Sequence, residues 1–201
     1  MNRVRIKFNP TLEQAPKTQY VFLNRTSNLW CPVKGAPAPY VVWRKDGFAV
    51  QNSTSITFQL KITSENNANY SCEVQSDGEI FRRDICLRVE ECPDPCECDV
   101  FQQTFMGVDC SGKKLNSVLW KFPLAMAKLR LDNNHLEDLP NDIFTNNINL
   151  IRLWLDNNQL KKLPSGIFSN NNRLLYLWLY NNQLKKLPPG IFSNNTQLTV
   201  L

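Results

Sequence analysis

Four cysteines crowd into one stretch, Cys92-Pro-Asp-Pro-Cys96-Glu-Cys98 followed by Cys110, and two chemistries compete for them: thiolate coordination of zinc, or disulfide formation. Four-cysteine zinc sites use knuckles with about two to four residues between paired thiols. A single residue between Cys96 and Cys98 is too tight for that, and the one histidine in 201 residues is a poor reserve of ligands. A disulfide-stapled cap without metal is the better reading. Catalytic chemistry has little more to work with. His135, in Asn-Asn-His-Leu, is the only imidazole, so a Ser-His-Asp or Cys-His arrangement lacks a convincing base. There is no Gly-rich phosphate loop and no His-Glu-x-x-His. Glu90-Glu91 reads as solvated linker, and Cys31 and Cys72 as structural residues. The chain is expected to be no enzyme and to need no cofactor.

Seven cysteines with so little histidine point to an oxidising compartment. The sequons Asn24-Arg-Thr, Asn52-Ser-Thr, Asn69-Tyr-Ser and Asn194-Asn-Thr agree, and an extracellular or cell-surface location is expected. A net charge of +5, mostly on the C-terminal half, suits a soluble globular protein and does not suggest nucleic-acid binding. No run approaches the roughly 18 apolar residues of a membrane span, and Met1-Asn-Arg-Val-Arg has no signal-peptide core. A disulfide-bearing chain of this kind reads as a piece of a longer secreted or membrane-anchored protein.

What positions these residues is legible in two patterns. Over the first ninety residues, short β-type runs alternate with turns: 20–24, 28–33, 40–47, 55–63, 69–74 and 84–89. That spacing predicts an antiparallel sandwich. Cys31 and Cys72 bracket Trp43, and Tyr70 stands two residues before the second cysteine, the arrangement in which a disulfide joins two sheets beside a buried indole and a tyrosine corner. With Gly35-x-Pro37-x-Pro39-x-Val41-x-Trp43, Lys45-Asp46-Gly47 and Tyr70-Ser-Cys72, residues 1–91 resemble an immunoglobulin domain of the intermediate set. Asn66 and Ala68 stand where that family usually has Asp and Gly, which puts its Asp–Arg bridge in doubt. In Asp84-Ile-Cys-Leu-Arg-Val, alternation turns Ile85, Leu87 and Val89 inward and Cys86 outward. Cys86 is the odd cysteine, either a free thiol or half of an intermolecular bridge.

The second pattern is a repeat. Leu150, Leu174 and Leu198 fall 24 apart, as do Asn134, Asn158 and Asn182, Pro140, Pro164 and Pro188, and Phe144, Phe168 and Phe192. This is the L-x-x-L-x-L-x-x-N-x-L period of a leucine-rich repeat, in which each copy forms one coil of a solenoid that cannot bury its apolar edge alone. Residues 92–201 resemble extracellular leucine-rich repeats with a cysteine-rich N-terminal flank. The resemblance implies pairing of Cys92 with Cys98 and of Cys96 with Cys110, a cap over 92–123, and three repeats plus the start of a fourth over 124–201. Asn147, Asn171 and Asn195 replace a leucine common in the family, so a looser, wetter convex side is expected. The last residues, Leu-Thr-Val-Leu, open a further repeat and again suggest a longer protein.

In each short parallel strand the leucines point inward and the alternate residues outward. The outward sets are Lys128, Arg130 and Asp132, then Arg152, Trp154 and Asp156, then Tyr176, Trp178 and Tyr180. Arg130, Trp154 and Trp178 should form one row, and Arg152, Tyr176 and Tyr180 flank it on the concave face. Arginine and large aromatics are enriched at binding hot spots. The same row could instead be explained by tryptophans packing on each other under an Arg130 cation–π contact. The fold expected is thus mixed: an all-β immunoglobulin sandwich, then a leucine-rich solenoid with short parallel strands. The function expected is recognition of a protein ligand by a receptor or adhesion protein. Alternatives are the targeting arm of a matrix enzyme, as in peroxidasin-like proteins, or a non-signalling matrix or immune-recognition protein. Lys161-Lys162 and Lys185-Lys186 make a weaker case for a sulfated polysaccharide. Glu137 facing Lys161 suggests a salt bridge instead.

Overall fold

The computed structural model describes residues 5–8, 18–31, 33–36, 38–76, 79–101, 105–119 and 121–199; Pro37, Val200 and Leu201 of the motifs above lie outside these. The chain divides into two compact units, Met1–Glu90 and Glu91–Leu201.

The first unit is an immunoglobulin-like β-sandwich. Its strands are β1 (Arg5–Phe8), β2 (Thr18–Phe22), β3 (Thr26–Trp30), β4 (Val33–Ala36), β5 (Val41–Lys45), β6 (Phe48–Ser53), β7 (Thr57–Lys61), β8 (Asn69–Ser76) and β9 (Glu79–Glu90). Five of them form a sheet in the order β2-β9-β8-β5-β6; β3 pairs with β7 and β1 with β4. The inward residues of the strands, with Ile62 just after β7, make the core: Leu29, Val41, Trp43, Ile62, Tyr70, Val74, Ile85 and Leu87 are all buried. Cys31 and Cys72 are bonded within it. Phe58 stacks on Trp43 at 5.9 Å between ring centroids and leans on Tyr70 at 6.2 Å. Asn66, in place of the aspartate the resemblance would supply, accepts from the Thr63 backbone N–H at 2.6 Å and donates to the Tyr70 hydroxyl at 3.1 Å. A neutral amide thereby pins the tyrosine without an ion pair.

The second unit is built on one sheet, β10 (Glu97–Phe101), β11 (Phe105–Asp109), β12 (Met126–Arg130), β13 (Arg152–Trp154) and β14 (Tyr176–Trp178). The β10–β11 pair is antiparallel and the rest are parallel. From β12 onward each step across the sheet is one 24-residue period: Arg130 faces Trp154, which faces Trp178. Disulfides Cys92–Cys98 and Cys96–Cys110 staple the β10–β11 end, which uses all four thiols.

Successive periods bury one another. Leu129, Leu153 and Leu177 are fully buried, and Phe122, Phe144, Phe168 and Phe192 stack in a column with centroids 5.8–6.5 Å apart. The paired asparagines of each period divide two tasks. The first (Asn133, Asn157, Asn181) takes the left-handed backbone at φ 52–57°, a conformation asparagine tolerates better than most residues. The second (Asn134, Asn158, Asn182) donates to backbone carbonyls of its own turn and of the preceding coil, and accepts from an N–H of the preceding coil. Buried loop backbone that no strand could satisfy is paired in this way.

The opposite side of the coils is neither loose nor wet, contrary to the sequence expectation. Asn147, Asn171 and Asn195 are buried. Asn147 Nδ2 donates to Pro123 O, Asn171 Nδ2 to Phe144 O and Asn147 O, and Asn195 Nδ2 to Phe168 O and Asn171 O, at 2.8–3.1 Å. A second asparagine ladder takes the place of a leucine spine: each amide adds a second donor to carbonyls that already accept a backbone N–H, while Oδ1 of Asn171 and of Asn195 is buried with no partner among the described residues.

Candidate functional site

The face of the second sheet that bears the arginines and tryptophans carries two rows, with a third set of residues just past the strands. Its first row holds Lys128, Arg152 and Tyr176; the second holds Asp109, Arg130, Trp154 and Trp178. Just beyond the strand ends stand Asp132, Asp156 and Tyr180. The two indoles of the middle row stack at 4.5 Å with planes 5° from parallel. Tyr176 lies against Trp178 at 5.9 Å, under the Arg152 guanidinium, which is 5.3 Å from its centroid. Arg130 sits 5.9 Å from the centroid of Trp154. The tryptophans therefore do pack on each other, yet Trp154, Trp178 and Tyr176 stay partly exposed, and Arg152 and Tyr180 are exposed.

Asp132 and Asp156 differ from expectation: strand alternation turns both toward the open face, yet both are buried. Their surroundings diverge by one residue. Asp132 accepts Arg130 Nε on Oδ1 at 3.0 Å and Arg130 Nη2 on Oδ2 at 2.9 Å, with Asn133 Nδ2 adding a third bond at 2.7 Å. Asp156 keeps the bond from its own neighbour, Asn157 Nδ2 to Oδ2 at 2.7 Å. At the place of Arg130 it has Trp154, and its Oδ1 is buried with no hydrogen-bond partner among the described residues. A residue-by-residue comparison of Arg130-Leu-Asp132-Asn with Trp154-Leu-Asp156-Asn carries that signal, because the acid is kept while its base is exchanged.

The electrostatics follow these contacts. The bond to Asp132 holds the Arg130 guanidinium above its ordinary value against the pull of burial, with the charges of Asp132, Asp109 and Asp156 assisting. Burial works to raise Asp109, but the Ser111 hydroxyl and backbone N–H that donate to it, with Arg130 and Lys113, outweigh that and leave it below the usual carboxylate value. Tyr180 is raised, first by hydrogen bonding toward Asp156 and then by its charge. The Tyr180 hydroxyl and the Asp156 carboxylate are thus close neighbours.

The remaining candidates lie elsewhere. Cys86 is a half-buried free thiol, facing Asn69 on β8 and Thr18 on β2. Asn24, Asn52, Asn69 and Asn194 are exposed; Asn194 Nδ2 donates to Ser169 O. Lys161 pairs with Glu137, while Lys162, Lys185 and Lys186 line an exposed edge. His135 approaches Gln159 at 3.5 Å. Among the described residues no group of three or more His, Cys, Asp or Glu is arranged to hold a metal, and no helix is long and apolar enough to cross a membrane.

The disulfide-linked sandwich and the coils of 24-residue period each find a counterpart among known families. Residues 9–89 match the family model of the immunoglobulin domain and residues 149–201 that of the leucine rich repeat. Among relatives, Hemicentin-2 of Mus musculus is 34% identical over 99 residues, covering 45% of this chain and 2% of the relative. Roundabout homolog 1 of Mus musculus is 40% identical over 52 residues, covering 26% and 3%. Among solved structures, the N-terminal four Ig domains of Dscam1 isoform 6.9 align at 26% identity with a TM-score of 0.34, over 44% of this chain and 21% of that one. The chain thus matches only a small fraction of the length of these relatives.

Proposed function

We propose that the chain is a recognition module of an extracellular receptor or adhesion protein, and that it binds a protein ligand on the concave face of a leucine-rich solenoid. Residues 1–91 form its immunoglobulin domain, 92–123 a disulfide-stapled cap and 124–201 the repeats. It acts by binding rather than by catalysis. The observation that carries this reading is the Trp154–Trp178 stack, two parallel indoles left partly open beside Arg130, Arg152, Tyr176 and Tyr180. Aromatic and arginine side chains bury large area with few rotors to freeze, which is why they concentrate binding energy. The three disulfides and four exposed sequons support the extracellular assignment.

The test is a binding screen of the tagged protein against an array of extracellular proteins, run beside Trp154→Ala/Trp178→Ala. Partners retained by wild type and lost by the double variant are the expected result. Partners bound equally by both would move the site off this face.

A further inference from the structure

Resting on the recognition reading, the contrast between Asp132 and Asp156 goes one step further, to the chemistry of the ligand. In one coil the protein completes its own buried carboxylate with the fork of Arg130, which also lies against the face of Trp154. In the next coil the carboxylate is retained, 4% exposed, with one oxygen unpartnered, and the arginine has become an indole. An unpaired buried carboxylate oxygen is costly, and the group that would satisfy it is a cationic donor. Beside it lies a flat aromatic surface of the kind on which guanidinium groups stack.

We propose that Asp156 and the Trp154–Trp178 stack form a receptor site for an arginine side chain of the protein ligand, supplied in trans where Arg130 is supplied in cis one coil earlier. The guanidinium donates to Asp156 Oδ1 while its plane lies along the indoles. Tyr180, more than half exposed beside the same carboxylate, is the side chain that shifts to admit it. Arg152 and Lys128 on the first row set the direction of approach, since a second cation is disfavoured there and an acidic neighbour of the ligand arginine is favoured. Arginine is preferred to lysine because only a planar fork both stacks and reaches the carboxylate edge.

The probe is N-acetyl-arginine methylamide, titrated into the 201-residue protein while the indole N–H resonances of Trp154 and Trp178 are followed by NMR. The same blocked derivatives of lysine, glutamate and phenylalanine, and a sulfated disaccharide, serve as comparators. Saturable shifts with the arginine probe are expected, weaker ones with lysine and none with glutamate or the disaccharide. Asp156→Asn should weaken the arginine probe about tenfold or more, the worth of one charge-assisted hydrogen bond, while leaving the exciton couplet of the stacked indoles in place. An arginine probe that leaves both indoles unmoved, or an Asp156→Asn protein that binds it as well as wild type, overturns the inference. If the phenylalanine or glutamate derivative then moves the same indoles, and loses that effect in Trp154→Ala, the recognition reading stands with another ligand chemistry. If no probe moves either indole, the arginine site falls, and the protein screen decides the recognition reading.

Discussion

Arg130 holds Asp132 by two bonds from one guanidinium, Nε to Oδ1 at 3.0 Å and Nη2 to Oδ2 at 2.9 Å. Asp156, one coil on, has no such partner. The same substitution should therefore act differently at the two sites. Asp132→Asn breaks a charge-assisted fork and should cost about 1–2 kcal/mol, moderated by the solvent around a half-exposed Arg130. Asp156→Asn removes a buried charge that lacks half of its partners and should be neutral or stabilising within about 0.5 kcal/mol. Urea unfolding of the two variants separates these outcomes, and equal losses would mean that Asp156 is satisfied in a way its geometry does not reveal.

Asn171 makes a second contrast with composition-based intuition. Leucine at this position is the more apolar choice, yet Asn171→Leu would remove one of the two donors to each of Phe144 O and Asn147 O, at 3.1 and 2.8 Å in a buried place, leaving only the backbone N–H of Asn147 and of Leu150. The expected loss is about 1–2 kcal/mol, two hydrogen bonds at about 1 kcal/mol each, offset in part because Asn171 Oδ1 is itself buried with no partner among the described residues. Asn171→Leu with raised thermal stability would mean that the ladder is incidental.

Much of this was legible in the sequence because it is periodic. Trp43 between Cys31 and Cys72 marks the sandwich core, and the 24-residue spacing of Leu129, Leu153 and Leu177 fixes the register of the parallel sheet. What escaped was not periodic or was only partly apolar. β6, Phe-Ala-Val-Gln-Asn-Ser, is an edge strand with most of its residues exposed, so it shows no inward stripe to read. Asn147, Asn171 and Asn195 look like surface residues by type, and only the carbonyls of neighbouring coils explain their burial. Asp156 escaped because alternation says which way a side chain leaves the strand and not how deeply its neighbours then cover it.

Acid should loosen the stapled end of the second unit through Asp109. Its folded carboxyl lies below the usual value, so the stabilisation it brings is present above the unfolded carboxylate value and is lost as pH falls through the lower, folded one. Asp109→Asn removes this dependence while keeping the side-chain volume. A thermal-unfolding series under acidic conditions should show a shallower pH slope for the variant than for wild type, with the two converging at the acid end. Parallel slopes would place the relevant titration elsewhere.

The most discriminating variant is Trp154→Arg, which rewrites the second coil in the pattern of the first. Arginine at this position would stand on Asp156 as Arg130 stands on Asp132, because both pairs are two residues apart along equivalent strands in register. The gain from the fork, about 1–3 kcal/mol, is set against the loss of the indole stack, about 0.5–1.5 kcal/mol, so the net change in stability alone decides little. The coupling between the sites decides more. In the Trp154→Arg background Asp156→Asn should now cost about 1–2 kcal/mol, whereas in wild type it costs nothing, and the difference is the interaction energy of the created pair. The same variant should no longer bind the arginine probe, since its site is filled from within. A coupling near zero would show that Asp156 cannot be reached by a guanidinium even from the adjacent strand position, and a ligand arginine would then have no path to it.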